Sequence, residues 1–353
     1  MKHMDFRYEL AKLTPRLRDN YPGKIYVFGT GQHWRDIHQW YLDVVNVDLV
    51  DYIFAFVDND REKQGLVYMG HPVISASEMD LENAVVLISS SAYHYEISQQ
   101  LQSLGLVYSN SFFTAAYFTL ILNRFVYAET ARFNNCVKGG RCFIIGNGPS
   151  LRIEDLNVLH QNGEMCFGVN RIINIFDKTT WRPSYYFAHD SLIIPDSNTL
   201  NQMKIPVFMS FGNAKQDFFN EQTFYYEIDN SPLYYDYPYR PKFSRNIERM
   251  YIGGSIIYPA IQAAVSMGYD EIYLLGVDHV CDTEVLYDGT IVKNNVERHF
   301  YQDSQLIMAS AIDILNSSLK FAREYCDKHG IRIRNATRGG KLEIFERINF
   351  DSL

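Results

Sequence analysis

Short apolar runs return along this chain at intervals, each followed by a glycine-bearing turn or polar stretch and then by helix-compatible sequence. The run at 24–28 (KIYVF) leads into Gly29-Thr30-Gly31 and a helical pattern over 32–45. A second strand is predicted at 52–60 (YIFAFVDND), ending in acids, and others at 71–74 and 84–90, with a helix over 93–104. The pattern then restarts. Strands are predicted at 141–146, 165–170, 184–189, 205–210, 223–228, 271–277 and 331–335, and helices at 150–160, 254–267 and 303–328. In the last helix Leu306, Ile307, Ala311, Ile314, Leu315, Leu319 and Ala322 form one apolar stripe. Strand runs alternating with helical periods predict parallel sheets covered by helices. The fold class is therefore α/β, with two tandem Rossmann-like doubly wound domains. The expected division is a small accessory domain at 1–110, a helical connector at 111–138 with Lys138-Gly139-Gly140 as its last hinge, and a larger domain at 139–353.

Composition narrows the partners. Of 353 residues 47% are apolar and 21% charged, an ordinary globular balance that excludes wholesale disorder. A net charge of −8 argues against a broad nucleic-acid surface. Five scattered cysteines make no CxxC or zinc spacing, as expected of reduced thiols in the cytoplasm. Residues 1–20 lack an apolar signal core and read as a short amphipathic helix. The most apolar stretch, 112–127, is interrupted by Asn123 and Arg124 and falls short of the roughly 20 residues that span a bilayer. It reads as a buried connector helix; an interfacial helix at the inner face of the membrane is the second reading.

In the second unit several predicted strands end in a polar residue: Asn170, His189 with Asp190, Asp278, and Asn335. Ligands of open α/β sheets bind beyond the carboxyl ends of strands, so these side chains are candidates for one cleft. The sharpest local motif is Gly146-Asn147-Gly148-Pro149-Ser150-Leu151. Its glycines allow a tight turn and close approach of a ligand, Pro149 suits a first helical turn, and the helix start offers free amides to a phosphate. No Gly-Lys-Ser/Thr follows, so this is not a Walker loop, and the alternative is a capped strand–helix turn.

These residues carry a resemblance. GNGPSL after an apolar strand, a second strand ending in Asn170, and Gly253-Gly254-Ser255 before a helix that leads to GYDEIYLLGVD (268–278) resemble the bacterial sialyltransferases that use CMP-activated sugars. The same blocks, with Ile333-Arg334-Asn335-Ala336-Thr337-Arg338-Gly339-Gly340, resemble the broader MptE-like group, which includes a pterin pyrophosphokinase. The resemblance covers about 140–345. It implies that 139–353 is a nucleotide-sugar-binding catalytic domain, a GT-A variant. Asn147 and Asn170 would contact the nucleotide sugar, Gly148, Pro149 and Ser150 its phosphate or ribose, and Gly254 and Ser255 the phosphate from the other helix start. His299, before the long last helix, matches the general base. Of two phosphate-binding tyrosines the first is replaced near Val280, and Tyr287 matches the second approximately. The partners implied are a CMP-sugar donor and a glycan or glycolipid acceptor, with no cofactor and no metal; membrane contact and self-association stay open.

Competing readings remain beside it. His279 and His189 are alternative bases. Asp278, His279 and Asp282 make a D-H-x-x-D cluster that, with Asp190, could hold Mg²⁺ on a diphosphate. That would suit a Mg²⁺-dependent nucleotide diphosphotransferase of the MptE type; a non-catalytic sugar-nucleotide-binding protein is the third reading. The tyrosine-rich 232–240 (PLYYDYPYR) is expected to be a lid or a packing loop, with Arg240, Lys242, Arg245 and Arg249 nearby. In the first unit FGTGQ (28–32) suggests a dinucleotide turn, but Trp34 stands at the third glycine position. The stretch FVDNDREKQG with GHPVIS resembles small domains appended to bacterial sugar-modifying enzymes, so an accessory role is expected.

Overall fold

The structure, a computed structural model, describes residues 24–42, 48–90, 92–108, 110–114, 129–189, 197–210, 222–229, 239–280, 283–286, 290–293 and 311–353, with Tyr127 and Pro232. The chain divides into two compact units, whose described residues fall at 24–114 and from Tyr127 onward. Among the described residues no helix is long and apolar enough to cross a membrane.

The first unit holds β1 (Lys24–Phe28), β2 (Ala55–Val57), β3 (Val67–Tyr68), β4 (His71–Ile74), β5 (Ala84–Ile88) and β6 (Phe112–Thr114), with α1 (Gln32–Trp40) and α2 (His94–Ser103). The strand order is β3-β4-β2-β1-β5-β6, and every pair is parallel except the β3–β4 hairpin. The strand predicted over 52–60 shrinks at both ends. Asp48 accepts from Val50 N and starts a 3-10 turn over Leu49–Tyr52, while Asp58 accepts from Asp60 N and begins the next turn. Trp34 is buried against Phe56 of β2, filling the space that a third glycine would leave. Asp58 accepts from Thr30 Oγ1 at 2.7 Å and from Lys63 Nζ at 3.1 Å. Burial lifts its carboxyl, but the hydrogen bonds from Asp60, Thr30 and Lys63 outweigh this and leave it below the usual carboxylate range.

The second unit is built on nine parallel strands: β7 (Arg141–Ile145), β8 (Cys166–Val169), β9 (Tyr185–Ala188), β10 (Val207–Ser210), β11 (Thr223–Asp229), β12 (Arg249–Tyr251), β13 (Glu271–Leu275), β16 (Arg332–Asn335) and β17 (Glu346–Arg347). A small antiparallel pair, β14 (Thr283–Val285) and β15 (Ile291–Lys293), stands apart from that sheet. The order β12-β11-β10-β9-β8-β7-β13-β16-β17 places β7, the first strand, between two wings grown in opposite directions. Both faces of the central strands are buried, so they read as continuous apolar runs. Cys142, Ile144, Ile272 and Leu274 face the cluster under α5 (Ile257–Met267), while Phe143 and Tyr273 stack on the other face with centroids 5.1 Å apart. Every residue of α5 is buried. The helices α3 (Ile153–Gln161), α4 (Ser197–Gln202) and α6 (Ile312–Lys328) complete the unit, and Leu315, Leu319 and Ala322 of α6 lie in the core as their stripe predicts.

Two features of the predicted connector differ. Phe112–Thr114 is an edge strand beside β5 rather than the start of a helix, because two adjacent aromatics are buried there in extended backbone; residues 115–126 lie outside the described residues. The stretch read as a hinge is pinned: Val137 N donates to Met267 O, Gly139 N to Gly268 O, and Gly140 N to Asp270 Oδ1, each within 3.0 Å.

Arg338, beyond β16, grips Asp155 in the first turn of α3 through two 2.8 Å bonds and also bonds Asp351 near the C-terminus. Arg338→Met leaves the buried Asp155 without its cation. The expected cost is about 2–4 kcal/mol, somewhat below the figure for a fully enclosed pair because Arg338 is one-fifth exposed. The double variant Asp155→Leu, Arg338→Met should regain most of that loss, as read by denaturant titration.

Candidate active site of the second unit

In an open parallel sheet a crevice forms where neighbouring strands send their chains in opposite directions. Here that place is between β7 and β13, and their turns touch. Gly146 N donates to Leu275 O and Gly148 N to Gly276 O, both at 2.8 Å. A Cβ on Gly146 would fall 2.4 Å from Gly276 O, and one on Gly148 would fall 1.9 Å from Asp278 Oδ2. The glycines thus let two turns of the protein pack in direct contact.

Asp278 is drawn into the same contact. Its Oδ2 accepts from Ser150 Oγ at 2.8 Å and from Ser150 N at 3.4 Å, and its own carbonyl accepts from Lys341 N at 2.7 Å. Burial raises the Asp278 carboxyl above the ordinary range, against the opposing pull of the Ser150 bonds. The loop after β16 is held by Arg347, which donates to the carbonyls of Thr337, Gly339 and Gly340, and by Asn335, which donates to Leu342 O. The pairing of Arg338 with Asp155 was not legible, since nothing in local spacing joins residues 183 apart in the chain.

Asn147 and Asn170 come together. Asn147 Nδ2 donates to Val169 O at 3.0 Å, the carbonyl just before Asn170. Asn170 sits at φ 50° at the end of β8, its carbonyl held by the Tyr186 hydroxyl. Its Oδ1 is buried without a hydrogen-bond partner among the described residues. An acceptor buried in this way is costly unless something donates to it.

The helix starts differ from expectation. α3 begins at Ile153, so Pro149 and Ser150 stand before it, and its first turn carries Glu154 and Asp155. Those carboxylates already answer the positive end of α3 and oppose a phosphate there. α5 has no acid in its first turn and follows Gly253-Gly254-Ser255 on the carboxyl side of the sheet. Gly254 lies against α6: a Cβ on it would be 3.1 Å from Leu315 N. The next residue, Asn316, bonds His279 Nε2 at 2.8 Å. The carboxyl edge therefore gathers Asn147, Gly148, Ser150, Asn170 and Asp278 around one turn pair, with Gly254, Ser255 and His279 around the start of α6. His299, Tyr287, Asp190 and Asp282 lie outside the described residues. Of the tyrosine-rich segment, Tyr239 packs: it is buried, with its hydroxyl bonded to Ile252 O and Ser318. Arg249 pairs with Asp229. Among the described residues no three His, Cys, Asp or Glu side chains converge as metal ligands would. A cavity of about 660 Å³ opens instead beside the last turn of α3 and the loop before β9, at the opposite end of the strands.

Residues 118–284 match the family model described as 6-hydroxymethylpterin diphosphokinase MptE-like, a stretch that contains the turns after β7 and β13. Residues 21–110 match the model described as C2185-like, N-terminal. A search of curated proteins finds no match. Among solved structures, the MAf glycosyltransferase from Magnetospirillum magneticum AMB-1 is similar at a TM-score of 0.38 and 15% identity over all of this chain. The chain spans 63% of that protein's length.

The raised Asp278 group favours its neutral form in the folded state. Its contribution to stability is present below the ordinary value of 3.8 and is lost as pH rises through the raised folded value. Asp278→Asn, whose amide oxygen can still accept from Ser150, should melt above the wild type at pH 7. The gap should close as pH falls toward 3.8, as read by melting temperature against pH.

Proposed function

We propose that the second unit is a glycosyltransferase, a GT-A variant on a Rossmann-like sheet, that moves an acidic, sialic-acid-like sugar from a CMP-sugar to a glycan or glycolipid acceptor. Its setting is the cytoplasmic side of bacterial surface-polysaccharide assembly, with the first unit as an accessory domain. The observation that carries this reading is the Oδ1 of Asn170, buried beside the Asn147 turn and without a hydrogen-bond partner among the described residues. A nucleobase amine or a sugar hydroxyl supplies the donor it lacks. The donor's phosphate is assigned to the acid-free start of α5 at Gly254 and Ser255, where the helix dipole favours an anion. CMP leaves as a phosphate monoester, and backbone amides with that dipole stabilise it without metal. The acceptor hydroxyl gives its proton to a histidine, for which the sequence nominates His299.

The second reading is Mg²⁺-dependent diphosphate transfer, and the family-model match over 118–284 favours it. It needs carboxylates turned toward a diphosphate. Asp278 instead turns its Oδ2 to Ser150 in a buried setting, so the described residues do not fit the ion.

A thermal-shift panel of CMP, CDP, UDP, GDP and ATP, each with and without Mg²⁺, separates the two. CMP at about 100 times its Kd should stabilise the chain by about 2.7 kcal/mol and do so equally in EDTA. A response confined to ATP with Mg²⁺ would replace the first reading by the second. CMP binding without turnover of any CMP-sugar would leave a non-catalytic binding protein.

A further inference from the structure

The site as proposed leaves the titratable side chain of His279, on the carboxyl edge, without a task. His279 follows Asp278 in the turn after β13, half-buried and at φ 56°. Left-handed backbone at a residue other than glycine costs free energy, and histidine is among the types that tolerate it. The ring is fixed by one bond, Nε2 to Asn316 Oδ1 at 2.8 Å. An amide oxygen only accepts, so Nε2 carries the proton and Nδ1 keeps its lone pair. Burial lowers the imidazole below its ordinary value of 6.5, over the opposing effects of the Asn316 bond and the Glu284 charge. The groups facing the ring are thus Glu284 from β14 and Asn316 from α6, while the neighbouring carboxylate of Asp278 is turned to Ser150. The ring stays neutral at pH 7 and offers a base rather than an acid. Its position suits that task, because Leu315, adjacent to its anchor Asn316, lies against Gly254 at the proposed phosphate end of α5.

We propose that His279 is the general base of the transfer, in place of His299; the proposal rests on the glycosyltransferase reading above. The acceptor hydroxyl's proton passes to Nδ1 as its oxygen forms the new bond to the sugar's anomeric carbon. The bond from that carbon to the phosphate oxygen breaks, and its electron pair leaves with CMP. The imidazolium then returns the proton to water. Asn316 is the positioning residue that sets the tautomer.

His279→Gly tests this, since glycine accepts the same φ. Its CMP-induced thermal shift should equal the wild type's, its kcat should fall by about 10²–10⁴-fold, and free imidazole should restore part of the rate. In the wild type the rate should fall as pH drops through a value below 6.5, and Asn316→Asp, which places a carboxylate on Nε2, should move that limb to higher pH. A wild-type rate and pH profile in His279→Gly would overturn the assignment, as would a loss that imidazole leaves unrescued or a limb unmoved in Asn316→Asp. A wild-type chain that shows no CMP shift overturns the glycosyltransferase reading and this inference with it. A wild type that binds and turns over while the variants behave as just described against it sinks the inference alone.

Discussion

Two backbone turns packed in direct contact organise the second unit. β7 opens the sheet and β13 starts its other wing, so the chain leaves these neighbours in opposite directions. The turns can hydrogen-bond to one another only if no side chain stands between them, which is why Gly146 and Gly148 face Gly276 and Asp278 with no room for a Cβ. The contact has a consequence for the neighbouring polar groups. Ser150 and Asp278, brought within 2.8 Å, satisfy each other. The residues flanking that contact are chiefly Asn147, Asn170 and the turn at His279.

Charge sorts the helix starts along the same edge. A chain with a net charge of −8 repels anions on average, so an anion needs a local pole. α3 carries Glu154 and Asp155 in its first turn, and α6 carries Asp313. α5 carries no acid there and is wholly buried, where low polarity strengthens its dipole. Asp155 is not idle: held by Arg338, it anchors the loop after β16 to α3. One helix start has been spent on holding the edge together, and another is free of acids.

Much of the sheet was legible in the chain. Parallel strands buried on both faces are continuous apolar runs, and β7, β8, β9, β10, β13 and β16 stand within two residues of their predicted positions. What escaped was short or peripheral. β12, β17 and the β14–β15 pair span only two or three residues each, too few for a period to register. Phe112–Thr114 looked helical because its apolar run continues past the strand. At the site, Asn170 and Asp278 were read at strand ends and stand one and three residues beyond β8 and β13, because the apolar run gives way there to polar residues. The direction each polar group faces was not legible. Ser150 turning to Asp278, and α3 starting three residues later than expected, depend on pairings across more than 120 residues of chain.

The polar groups of the edge therefore fall into two kinds. Asn335, Arg338, Arg347, Ser150 and Asp278 are bonded to one another or to backbone carbonyls, and they hold the turns in register. Asn170 Oδ1 and His279 Nδ1 belong to the other kind: each is an acceptor held in place by bonds made elsewhere on its own residue, at a backbone conformation that is unfavourable unless the surroundings enforce it. Rigid acceptors with spare capacity are poor stabilisers of a fold, since desolvating them returns nothing. They are good at receiving a donor that arrives from outside. The division between groups that close on one another and acceptors left unfilled thus marks off the scaffold, and on the proposed reading the chemistry falls on both flanks of the β7–β13 contact.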